Sequence, residues 1–464
     1  MASVRRRFVP LTVLGVALAW APAPALAGEA PEVAQAQPAP ASDPRDARIR
    51  DLEEKMQALT DELASLRTQV AVPEDRELKS EYGLGPAASR IYGVPRGLSI
   101  GGYAEGFYTN YVGDKTRSDR DRSDALRLVL YTGYKFTERI LFNGEIEFEH
   151  GTTSATESSS GGSVSVEFAN LDFMLTDWAN ARVGMVLMPV GFVNEIHEPP
   201  FFYGVARPEV ERRIIPTTWR EMGAGFFGRI GEWGEYRAYV TTGLNARGFR
   251  PSGMRDGRQS GNRAFAEDVA FVGRVDLTPL EGLSVGGSFY HGNAGQDVSV
   301  DVTGFGNVGL PSTPVTLWEL HSEYEWEGLH LRGLFSMAHI GDAGALTAAL
   351  RPNRLGGIGE IGASDVIGSD LLGTYGELAY DLLHWLSPGS SMSLSPFVRY
   401  EYLDSQYDVP QGFEKNGANL ARVLTTGLSF KPHPNVVLKT DYRQFDLGSG
   451  EQADEVNFGF GLAF

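Results

Sequence analysis

The 464-residue chain contains no cysteine, carries no excess of basic charge, and has no long apolar run after its N-terminus. Without cysteine the fold relies on no disulfide, which rules out a small stapled scaffold. The formal net charge is −18, and no basic stripe breaks it, so nucleic acid is not expected as a partner. No later stretch approaches 18 consecutive apolar residues, which excludes a helical membrane protein. Enzyme signatures are also missing. No serine reads as the nucleophile elbow G-x-S-x-G, which needs a strand turning into a helix. His197-Glu198 runs into Pro199-Pro200, which would break an H-E-x-x-H zinc helix. Gly223–Gly228 is glycine-rich but lies in a strand pattern, without the helix a phosphate cradle needs. The reading is a non-enzyme, with no cofactor and no metal site.

What is present begins with an export signal. Arg5-Arg6-Arg7 precedes an apolar run from Phe8 to Trp20, and Ala25-Leu26-Ala27 completes a small-x-small cleavage site, placing the signal peptide at residues 1–27. The apolar run is too short to span a bilayer. Residues 28–47 form an Ala/Pro-rich linker, extended and solvated. Ile49, Leu52, Met56, Leu59, Leu63, Leu66 and Val70 then recur at alternating spacings of three and four, a heptad seam that predicts a coiled-coil helix over 48–72. The mixed residues at Ile49, Met56, Leu63 and Val70 do not fix an oligomer number. Residues 73–97 read as a polar connector.

From residue 98 the pattern changes to period two. Ile140, Phe142, Ile146 and Phe148 share one face of a segment whose other face carries Asn143, Glu145, Glu147 and Glu149. Sixteen such segments follow one another, with short breaks at 137–138, 231–232, 327–328 and similar places. They alternate with long breaks such as 189–221, 245–267 and 341–369. Short turns alternating with long loops fit a transmembrane β-barrel, and an even count places both termini on the periplasmic side. The last segment has Val456, Phe458, Phe460, Leu462 and Phe464 on one face; as an open edge it would aggregate, whereas in a closed barrel that face meets lipid. The predicted fold is all-β: a 16-stranded antiparallel transmembrane barrel over 98–464, preceded by a periplasmic α-helical coiled coil.

Sixteen strands predict an aqueous interior rather than a packed core. Alternation points Arg127, Lys135, Arg229 and Arg274 into it, among other charged residues. The long break at 189–221 carries Arg207, Arg212, Arg213 and Arg220 with the aromatics Phe192, Phe201, Phe202, Tyr203 and Trp219, and reads as a constriction folded into the lumen. These eight basic residues are the candidate solute contacts. Between Pro189 and Arg263 there are 11 arginines and 8 acidic residues, in a chain whose net charge is negative. Arginine lining suits anions. The competing reading is that Glu195, Glu198, Glu209, Glu211 and Glu221 pair with the loop arginines and only fold the loop against the wall.

The signal peptide, the heptad helix, the sixteen segments and the terminal Phe464 together resemble the trimeric Gram-negative outer-membrane porins. Gly101-Gly102-Tyr103 and Leu187-Met188-Pro189-Val190-Gly191 are similar to the phosphate-selective porin family. That resemblance implies a homotrimer in outer-membrane lipid, a third long loop folded into each pore, and passage of small hydrophilic solutes, with phosphate and other anions as candidates. The helix would remain in the periplasm, within reach of peptidoglycan. The alternative function is a structural barrel that sheathes a partner or tethers the membrane to the cell wall.

Overall fold

In the computed structural model, the structure describes residues 44–71, 78–113, 120–155, 161–302, 306–355 and 365–464. The expected signal peptide and most of the linker lie outside the described residues. A helix, α1, runs from Pro44 to Gln69. Its seam residues Ile49, Leu52, Met56 and Leu59 are all exposed.

The barrel consists of sixteen strands. In chain order they are β1 (Gly97–Val112), β2 (Arg122–Thr137), β3 (Ile140–Glu149), β4 (Val164–Phe173), β5 (Asn180–Leu187), β6 (Arg220–Arg229), β7 (Gly234–Thr242) and β8 (Val269–Leu280). The second half is β9 (Leu283–Asn293), β10 (Pro314–Trp326), β11 (Leu329–Ile340), β12 (Asp370–Tyr380), β13 (Ser393–Asp408), β14 (Leu420–His433), β15 (Val436–Leu447) and β16 (Asp454–Ala463). Each pairs antiparallel with the next, and β16 closes on β1 with Asp454 opposite Val112 and Ala463 opposite Tyr103. Phe464 and Gly102 exchange both backbone hydrogen bonds at the seam, so no open edge remains there. The sixteen expected segments and the closure are therefore as the alternation predicted.

Side chains follow the two-residue period. Leu128, Val240, Leu438, Phe458 and Phe460 point outward and are exposed, while Arg127, Tyr239, Lys439, Asn457 and Gly459 point inward. An outer face this apolar is stable only against another apolar phase. Trp178, Trp233, Trp326 and Trp385 are all exposed and all lie at the short-turn end, a girdle of amphipathic rings suited to a membrane interface.

The interior departs from the expected aqueous lumen. The inward faces of β8 to β14 meet an apolar cluster that includes Val210, Ile214, Ile215, Trp219, Phe249, Met254 and Leu346, all contributed by long loops. The loops carry enough apolar surface to make their own core, and burying it against the wall is worth about 25 cal/mol per Å². The stretch read as a polar connector also folds inward. Leu84, Ala87, Ala88, Ile91 and Val94 are buried against wall residues such as Val129, Tyr131, Leu141 and Phe168. Within it, Arg90–Gly93 forms a single helical turn, α2.

Candidate functional site: the long loop between β5 and β6 and its arginines

The segment between β5 and β6 crosses the lumen and touches the wall on several sides. Gly461 on β16 faces Pro199; a Cβ there would overlap the proline ring. Gly373 on β12 faces Val210 and Ile214, whose side-chain carbons would lie 2.7 and 2.8 Å from an added Cβ. The small inward residues that alternate with Phe458 and Phe460 are thus the imprint of the loop lying on the wall. The chain here forms a 3-10 turn over Pro199–Phe201 and a short α-helix, α3, over Glu209–Arg213. Asn194 fastens the loop's two ends. Its amide donates to the Met188 and Trp219 carbonyls, at 2.7 and 2.9 Å, and accepts from the Trp219 backbone N–H at 2.6 Å.

The loop's glutamates hold it in place, mostly without using loop arginines. Glu195 pairs with the wall residue Arg237 at 3.2 Å and lies 3.8 Å from Arg274. Glu198 accepts from the Ala87 and Ala88 backbone N–H groups, joining the loop to the inward-folded residues 78–96. Glu211 accepts from Val193 N–H at 2.7 Å and from the Tyr375 hydroxyl at 2.7 Å. Glu221 accepts from the Thr242 hydroxyl and the Gln259 N–H. Only Glu209 takes a loop arginine. Its Oε2 accepts from Arg212 Nε and Nη2 at 3.1 and 2.6 Å, while Oε1 accepts from Arg443 on β15 at 2.8 Å. Burial alone would raise the Glu209 carboxyl, but Arg443 and Arg212 hold it down at about 2.

Of the expected contacts, the structure brings four together on the loop. Arg220 reaches back to Glu167 on β4 at 2.9 Å. Arg207 donates to the Thr218 hydroxyl at 3.0 Å, and its Nε and Nη2 are buried without a partner. Arg213 has no ion pair among the described residues. Sequence reading did not single out Arg255 and Arg258 as contacts, yet they join this group from the loop after β7. Arg255 donates to the Thr217 carbonyl at 3.1 Å, and Arg258 donates to the Pro216 and Thr218 carbonyls at 3.1 and 2.5 Å. Arg255 lies within electrostatic range of Arg212 and Arg207, and Arg258 within range of Arg255 and Arg220. Burial, then the neighbouring Arg255, bring the Arg258 guanidinium down to about 10. Among the described residues, four of these six arginines (Arg207, Arg213, Arg255 and Arg258) make no ion pair.

Of the other four expected contacts, Arg127 lies within electrostatic range of Arg255 but is held by wall carboxylates, and the remaining three lie elsewhere. Arg127 is tied to Glu105 and Glu147, both at 2.7 Å. Lys135 donates to the Val94 carbonyl at 2.9 Å, behind the inward-folded segment. Arg229 sits near the short-turn end with its guanidinium 5.7 Å over the Tyr82 ring. Arg274 holds Asp276 at 2.8 Å and donates to the Gly191 carbonyl, serving as a fastening for the loop's first bend. Beside the loop, a cavity of about 510 Å³ opens among Phe192, Phe201, Tyr203, Arg332 and Lys431. Arg332 pairs with Glu323 at 2.5 Å, whereas Lys431 has no ion pair among the described residues.

The enzyme signatures need one correction. Two G-x-S-x-G strings do occur, at Gly97–Gly101 and Gly282–Gly286, but both enter wall strands directly and neither makes a strand-to-helix turn. They place no serine at an elbow.

No family model matches the chain. A protein of Aquifex aeolicus (strain VF5) described as uncharacterized is 37% identical over 395 residues, which cover 84% of this chain and 84% of that one. The chain belongs to the family of that protein. Among solved structures, OmpF of Salmonella typhi in complex with daunomycin is similar to it, with a TM-score of 0.50 and 13% identity over 81% of this chain and 99% of that one. The likeness establishes the fold as that of the outer-membrane porins. The outer-membrane channel DcaP of Acinetobacter baumannii is similar at TM-score 0.47 and 12% identity, over 79% of this chain and 97% of that one. An anion-selective porin from Comamonas acidovorans is similar at TM-score 0.46 and 12% identity, over 79% and 99%.

Proposed function

We propose that the chain is a porin of the Gram-negative outer membrane, a passive channel for small hydrophilic solutes that favours anions, phosphate among the candidates. The observation that carries the preference is the group of four arginines at the constriction, Arg207, Arg213, Arg255 and Arg258, whose charge no carboxylate within 4 Å takes up. Always-charged guanidiniums in a narrow passage concentrate anions and repel cations. Solutes would enter past these arginines on the long-loop side and leave through the cavity beside Lys431. The exposed heptad seam of α1 fits a periplasmic coiled coil that joins three copies and lies within reach of peptidoglycan.

A barrel that sheathes a partner fits less well, because residues 78–96 and the constriction loop already occupy much of the interior. Planar bilayers containing the purified full-length protein test the proposal. Stepwise conductance is expected. A folded protein that gives no steps, or that co-purifies with a stoichiometric partner filling the lumen, overturns it.

A further inference from the structure

Where the loop meets β3 and β4, three buried side chains face one another at distances longer than strong hydrogen bonds. They are Glu145 on β3, Glu167 on β4 and His197 on the constriction loop, all at most 3% exposed. The Nδ1 of His197 lies 3.2 Å from the Asn194 carbonyl. A carbonyl only accepts, so Nδ1 carries a hydrogen and Nε2 is the ring's remaining ligand atom. That Nε2 is 3.4 Å from Glu145 Oε1 and also 3.4 Å from Glu167 Oε2, and all three atoms lie within 4.8 Å of one another.

The spacing decides what belongs between them. A charge-assisted hydrogen bond would draw these atoms to about 2.7–2.9 Å. A tetrahedral ion with bonds of about 2.0–2.1 Å separates its ligands by about 3.3–3.4 Å. An independent observation is that Glu145 Oε2 and Glu167 Oε2 are buried without a hydrogen-bond partner, as is the hydroxyl of Tyr103, whose ring edges onto His197 at 5.8 Å. Outer contacts are already in place, since Asn194 fixes the imidazole and Arg220 holds Glu167 Oε1 at 2.9 Å.

We propose that Glu145, Glu167 and His197 bind one divalent first-row transition cation of the zinc class, which clamps the constriction loop to the barrel wall. An imidazole with two carboxylates suits zinc and its neighbours, whereas magnesium and calcium prefer all-oxygen sites. The sequence hides the site, because its ligands come from two strands and a loop and follow no metal-binding spacing.

The test uses purified full-length protein in detergent, stripped with a chelator, loaded with zinc chloride alone and desalted. Metal is then counted by mass spectrometry. Wild type is expected to retain about one zinc per chain. His197→Gln and Glu167→Gln, confirmed as folded by their heat-dependent migration on gels, should bind at least about tenfold more weakly. Cobalt(II) in the wild-type chain provides a reading that needs no variant, because the intense visible absorption of tetrahedral cobalt is expected. Wild type that retains no zinc, folded variants that retain as much as wild type, or only the faint absorption of octahedral cobalt each overturn the proposal.

Discussion

Glu209→Gln isolates the electrostatics of the constriction. The amide keeps the size of the carboxylate and removes one negative charge where Arg212 and Arg443 meet. For an ion passing about 6 Å away through water, one charge is worth about 0.7 kcal/mol, or roughly threefold in permeability. The effect has opposite sign for anion and cation, so their ratio changes by up to about tenfold; screening in 0.1 M salt cuts this to about fourfold. The barrel should survive, because Arg443 keeps Glu455 at 2.8 Å. The stability loss is then about 1–3 kcal/mol, less than for a stripped buried charge. Reversal potentials across a KCl gradient read the ratio, which should move toward chloride and move further in dilute salt. A folded Glu209→Gln protein with an unchanged ratio, or one shifted toward potassium, would refute the electrostatic reading.

Other outcomes follow from the same contacts. The stability gap between wild type and Glu209→Gln should depend on pH. Because the folded carboxyl titrates at about 2, below its ordinary value of 4.5, its contribution is complete above pH 4.5 and fades as pH falls toward 2; denaturation at several pH values measures this. Gly461→Leu inserts a side chain where Pro199 rests, so the loop should be pushed off the wall and single-channel conductance should change, while Gly376→Ala, at a site open to space, should leave it unaltered. Trp219→Ala removes a fully buried ring and should cost about 3–5 kcal/mol, read as a lower unfolding temperature. Replacing Ile49 and Met56 with Asp should dissociate an assembly held by the helix, seen by native mass spectrometry; an unchanged mass would show that the seam does not hold the copies together.

The wall was legible because its period is written into every strand. Leu128 and Phe460 alternate with Arg127 and Gly461, and the short turns alternate with the long loops. The long break at 189–221 was legible from its place between two strand segments and from the aromatics that give it something to pack. The pairing of its charges was not. An inward glutamate looks the same in sequence whether it meets a guanidinium, as Glu209 does, or a backbone N–H, as Glu198 does. Within the connector expected over 73–97, the inward course of 78–96 was not legible because its small residues Gly83, Gly85, Ala87 and Ala88 resemble a linker. In the fold their smallness lets the chain lie close to Glu195 and Glu198. The apolar core inside the barrel escaped for a related reason, since Val210, Ile214 and Met254 are scattered among loop residues with no period to reveal a shared face. Arg255 and Arg258 were visible as charges, but only the fold shows that they bond to the carbonyls of Pro216, Thr217 and Thr218.

In the proposed pore, loop arginines free of carboxylate partners set the ion preference. The most direct test is the single-channel reversal potential of the wild-type protein under a KCl gradient, repeated with Arg213→Gln and Arg255→Gln combined. Stepwise conductance with an anion-side reversal that moves toward cations in the double variant is predicted. A cation-side reversal in wild type, or one that the double variant leaves unmoved, would contradict it.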